Sequence, residues 1–74
     1  MGHHPDADLI YRLSKRASTL SAAKGDRIDP LAFAVAIGIV EHTGGLDLAG
    51  LSKLPDNDFL TDMSAILVKA KANG

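Results

Sequence analysis

Seventy-four residues make one domain, and a chain of that length buries only about 60% of its unfolded surface, so its own core stabilises it narrowly. The absence of Cys excludes disulfides and thiolate metal sites, and three His alone leave a structural zinc site without a full ligand set. A net charge of −1 with a pI near 6.2 lacks the basic balance of a nucleic-acid-binding domain.

The chain opens on Met1-Gly2-His3-His4. An imidazole at a third position, with a free amine and two amides, can hold Cu(II) or Ni(II) in a plane. The simpler reading is a disordered start, covering residues 1–5. The stretch "PDADLIYRLSKRASTLSAAKG" predicts the first helix. Pro5 suits a first helical position, and Asp6 and Asp8 favour the positive end of the helix dipole. Leu9, Leu13, Ala17 and Leu20 share one face, widened by Ile10 and Tyr11, with Arg12, Lys15 and Arg16 largely outside it. Gly25 is the stop, and the run "STLSAA" invites earlier fraying.

In "DPLAFAVAIGIVEHTGG" the large residues at 31, 33, 35, 37 and 39 alternate with Ala or Gly, as in a strand. Asp29 as N-cap, Pro30 at N1, three alanines and Gly44 as a stop predict a helix instead. On a helical wheel Leu31, Val35 and Ile39 form one ridge and Phe33, Ile37 and Val40 another. Ala34 and Gly38 lie between them, at a spacing that suits a close helix crossing within the fold or across a dimer. One ridge is expected inside and one at least partly available. The apolar run of about eleven residues falls short of the roughly twenty that span a bilayer. It is central, and so no signal peptide; a cytoplasmic protein is the expectation.

"LDLAGLSKLP" predicts a short connecting turn or helix carrying Leu46, Leu48, Leu51 and Leu54. "PDNDFLTDMSAILVKAKANG" predicts the last helix, with Phe59, Leu60, Met63, Ile66, Leu67 and Ala70 on one side and Lys69 and Lys71 complementing its C-terminal dipole. The expected fold is all-α: a single domain over 1–74, a bundle of three main helices and one short one.

Three pieces of this layout fall in a familiar order. Asp29-Pro30-Leu31 opens the second helix, "IVEHTGGLDL" closes it and leads on, and "DFLTDMSAIL" enters the last helix. Between about 29 and 70 this resembles the acyl and peptidyl carrier proteins, small four-helix bundles with a short third helix and an Asp-Ser-Leu motif at the start of the second. The resemblance implies docking to biosynthetic enzymes and a serine esterified with 4′-phosphopantetheine. Pro30 stands where that serine would be. It has neither hydroxyl nor backbone donor and cannot be the attachment point. Ser18, Ser21, Ser52 and Ser64 lie outside the motif. The acidic second helix typical of the family is also missing, since only Glu41 lies on it, and the first interhelical loop looks shorter than usual.

Other candidate groups have plain structural readings. His42, beside Glu41 and near Asp47, could be an acid–base group, but no nucleophile stands at a recognisable spacing, and a helix-end His is accounted for by the dipole. Tyr11 reads as an amphipathic residue at the core edge. Arg12, Lys15, Arg16, Lys24 and Arg27 could meet phosphate or an acidic partner, against the ordinary reading of a solvated helix face. A helix-turn-helix reader needs a polar, basic recognition helix, and the second helix is apolar.

The function expected from the sequence is therefore a non-enzymatic, carrier-like docking module without cofactor at Pro30, presenting Leu31, Val35 and Glu41 to a protein partner. An unrelated helical homodimer or inhibitor-type protein is the alternative, with a nucleic-acid binder behind it and an enzyme last.

Overall fold

A computed structural model of the chain describes residues 7–44 and 46–73. These form four helices: α1 (Ala7–Ala23), α2 (Pro30–His42), α3 (Leu48–Ser52) and α4 (Asp56–Asn73). Among the described residues there is no strand, and the bundle of three long helices and one short one stands as expected from the sequence. The His pair at positions 3 and 4, Pro5 and Asp6 lie outside the described residues.

Local chemistry sets the helix ends. At the end of α1 the Asp26 N–H donates to the Ser21 carbonyl at 2.8 Å and the Gly25 N–H to the Ala22 carbonyl at 3.0 Å. This is a Schellman cap, and Gly25 takes the left-handed conformation it requires, at φ 90°. The expected fraying of "STLSAA" does not occur. Ser21 is buried, and the Ser18 hydroxyl donates to the Ile28 carbonyl at 2.7 Å, fastening the α1–α2 loop to the helix. At α2 the Asp29 carboxylate accepts from the Leu31 N–H at 2.9 Å, with Pro30 in the first turn. Thr43 closes the helix and Gly44 follows at φ 89°. Asp47 caps α3 by accepting from the Gly50 N–H at 3.0 Å.

One core joins all four helices. Leu13 and Ala17 of α1 meet Phe33, Ala36, Ile37 and Val40 of α2, Leu48 and Leu51 of α3, and Phe59, Met63, Ile66 and Ala70 of α4. α2 is the central element, packed on both α1 and α4. The buried face of α1 is turned from the expected stripe. Ser14 and Ser21 are inside, Leu9 and Leu20 only half-buried, and Tyr11 is 61% exposed with the Lys15 ammonium 5.6 Å above its ring. Ser14 tolerates burial because its hydroxyl donates to the Ile10 carbonyl at 2.7 Å within the same helix.

Arg16 also departs from the solvated-face reading. Its guanidinium donates to the Leu54 carbonyl at 2.7 Å and to the Asp56 carboxylate at 2.9 Å, and lies 4.1 Å from the centroid of the Phe59 ring. It fastens α1 to the α3–α4 turn. Asp56 is mostly solvent-exposed, so the ion pair contributes little. The carbonyl bond and the ring stacking carry the effect. Arg16→Ala is therefore expected to lower stability by about 2 kcal/mol, and Arg16→Lys to recover less than half, since an ammonium cannot both stack and fork. Urea denaturation followed by circular dichroism measures both; an Arg16→Ala loss below about 0.5 kcal/mol, the ordinary scatter of surface substitutions, would show the clasp to be idle.

Candidate functional site: the outer face of α2

The sequence of α2 carries no Asp, Glu, Lys or Arg from Pro30 to Val40, so one helix is apolar on every side. The bundle covers only part of it. Phe33 and Ile37 are fully buried, with Ala36 and Val40 close behind, whereas Leu31 is 67% and Val35 54% exposed. Leu31 and Val35 sit one turn apart and form a ridge pointing away from the core. Ile39, half-buried, continues it toward α4.

A furrow runs on each side of the ridge. Toward α1, Ala34 and Gly38 lie between Ile10 and Tyr11 of α1, with Glu41 and His42 at one end. Toward α4, Ala32, Ala36 and Ile39 face Leu67 and Ala70. The expected close crossing at Ala34 and Gly38 is not made within the fold. Gly38 is exposed, and nothing lies within 4 Å of where its Cβ would stand. The missing side chains leave an open floor instead of a tight contact.

Of the residues singled out from the sequence, Leu31 and Val35 come together. Glu41 is half-buried and belongs to the α1-side furrow. At 100° per residue it stands about 120° round the helix from Val35. Its helical neighbours at seven and three residues' distance, Ala34 and Gly38, were the signal that placed it there. Asp29 is engaged as the cap of α2, and Pro30, half-buried, starts the helix where the serine of the carrier motif would be.

The polar candidates are dispersed. His42 is exposed in the last turn of α2, and the Asp47 carboxylate is engaged in capping α3. Ser18 donates to Ile28 and Ser52 to the Ala49 carbonyl at 2.7 Å, Ser21 is buried, and Ser64 is exposed on α4. Of the five basic residues in the first part of the chain, Arg16 is tied to the α3–α4 turn and Lys24 reaches Asn57 of α4 at 3.5 Å. Arg12, Lys15 and Arg27 are exposed. Among the described residues no group of three or more His, Asp or Glu could hold a metal ion. No helix among them is long and apolar enough to cross a membrane.

A second apolar cleft, which the sequence reading did not single out, lies where the end of α2 meets α3 and α4. Val40, Leu46, Leu51, Leu54 and Ile66 line it, with Asp47, Asp62 and Lys69 at its rim. The closely spaced leucines of "LDLAGLSKLP" were its only sign in the sequence. Compared with protein-family models, curated proteins and solved structures, the chain matches none.

The two sides of α2 separate cleanly by substitution. Ile37→Ala is expected to cost about 2–4 kcal/mol, as deletions in a packed core do. Val35→Ala, at an exposed position, should stay within about 0.5 kcal/mol. Chemical denaturation of the pair reads this directly, and equal losses would place Val35 in the core.

Proposed function

We propose that the chain is a carrier-protein-like docking module that lacks the phosphopantetheine attachment serine, has no enzymatic activity, and acts through protein–protein contact at the outer face of α2. The observation that carries this reading is the two-sidedness of α2. Its Phe33–Ile37 side is sealed in the core, while Leu31 and Val35 stand in solvent on a stretch without charge. Water-exposed apolar ridges of this kind gain free energy when covered. The order of helices, the short α3 and the Asp29-Pro30-Leu31 start of α2 support the carrier resemblance. A proline at that start supports a module without cargo there.

The two halves of the proposal have separate tests. Pro30→Ser rebuilds Asp-Ser-Leu at the first turn of α2. With coenzyme A and a broad-specificity phosphopantetheinyl transferase, the serine oxygen would take the phosphopantetheinyl group and 3′,5′-ADP would leave. Intact mass should rise by one such group in Pro30→Ser and stay unchanged in the natural chain. No gain in Pro30→Ser, beside a carrier that is modified, would make the resemblance accidental; a gain in the natural chain would mean another serine is loaded. For docking, cross-linking in cell extract should yield an adduct with the natural chain and with Val68→Asp, a control at an exposed α4 position. Val35→Asp should lose it while keeping its helical circular dichroism. An adduct that survives Val35→Asp would discard the α2 face, whatever the partner.

A further inference from the structure

The outer face of α2 is complementary to itself, and we propose that its partner is a second copy of this chain, packed α2 against α2 in antiparallel fashion about a two-fold axis between Val35 and Gly38. The inference rests on the reading of that face as the docking surface and is independent of the carrier resemblance.

Leu31, Val35, Gly38 and His42 are exposed at successive spacings of four, three and four residues. That is the seam spacing along which two helices keep facing one another. The seam carries both knobs and a gap. Leu31 and Val35 project, and at Gly38 there is open space. Antiparallel pairing centred between positions 35 and 38 sets each Val35 over Gly38 of the second copy, and each Leu31 beside His42 of the second copy. Parallel pairing would set Val35 on Val35 and Gly38 on Gly38, crowding one level and leaving a void at the next. Only the antiparallel arrangement fills the gap that the bundle itself leaves empty.

Charge favours the same occupant. With no ionisable side chain from Pro30 to Val40, a partner bringing charges to this ridge would bury them unpaired. A second α2 brings none along the same Pro30 to Val40 stretch. Antiparallel pairing also opposes the two helix dipoles, which parallel pairing would align.

Area sets the extent of the contact. A stable interface needs about 800 Å² from each subunit, roughly one-sixth of the 4877 Å² surface. From Leu31 to His42 the seam is about 17 Å long and one helix wide, which is too little alone. The furrow walls, Ile10 and the exposed Tyr11 on one side and Leu67 on the other, widen it with further apolar surface. Closed two-fold pairing uses up the whole ridge and leaves no repeating contact to build a filament.

Sedimentation equilibrium of the full chain from micromolar to millimolar concentration tests this. A reversible dimer is expected, weakened about tenfold or more by Val35→Asp and, independently, by Gly38→Leu, which fills the gap at a position where the added Cβ meets no neighbouring element. Geometry is tested by cross-linking, because the chain has no Cys of its own. Leu31→Cys mixed with His42→Cys should give a mixed disulfide, and Leu31→Cys alone should not. A chain that stays monomeric at millimolar concentration overturns the proposal, while leaving a different protein as the occupant of the α2 face. A dimer unaffected by both Val35→Asp and Gly38→Leu, or one cross-linked as readily by Leu31→Cys alone, overturns it as well.

Discussion

Everything in this bundle depends on the burial of one side of α2. Phe33, Ala36, Ile37 and Val40 form the layer on which α1 and α4 both rest, and the cluster around them includes every other buried apolar side chain described. The helix enters that position because its ends are fixed locally, by the Asp29 cap at one end and by Thr43 and Gly44 at the other. With α2 placed, α4 brings Phe59, Met63, Ile66 and Ala70 along a single stripe, and α3 closes one end with Leu48 and Leu51.

The third wall is thinner. α1 offers the core only Leu13 and Ala17 as fully buried apolar residues, beside Ser14 and Ser21. Small side chains let a helix lie close to its neighbours, but they bury little apolar area. Attachment by polar contacts offsets this. Ser18 holds the loop that follows α1, and Arg16 reaches across to the α3–α4 turn, where backbone carbonyls at a helix end need donors. The polar residues of α1 thus contribute to the fold through one specific clasp, at Arg16, and one loop fastening, at Ser18, more than through any collective basic surface.

The pattern of legibility follows from the range of the forces involved. Helix ends at Asp29-Pro30, Gly25 and Gly44 were readable because a cap is decided by residues within one turn. The stripe of α4 was readable because it is the only apolar side of that helix. In α2 the alternation of large and small residues was ambiguous by period alone, and the caps decided it. What could not be read was the rotation of α1. Leu9, Tyr11 and Leu20 are more apolar than Ser14 and Ser21, yet the serines are inside; Ser14 loses little on burial because its hydroxyl bonds the Ile10 carbonyl of its own helix. Arg16 was equally hidden, because its partners at Leu54, Asp56 and Phe59 are close only in space. The ridge of Leu31 and Val35 was visible in outline from the surplus of apolar positions on α2. The placement of Glu41 in the furrow beside Gly38, away from that ridge, needed the helix to be built.

Gly38 lies in the interior of the central helix. A glycine in the interior of a helix costs about 1 kcal/mol relative to alanine, and in a bundle this small that is an appreciable part of the total. Within the fold nothing recovers it, since no atom approaches where a Cβ would stand and the backbone there is ordinary helix. Together with Leu31 and Val35 held in water, it puts two unfavourable terms on one face of the central helix. Both are relieved by the same event, the close approach of another uncharged helix. In the proposed pairing Val35 of one copy covers Gly38 of the other, so one contact would remove both terms at once.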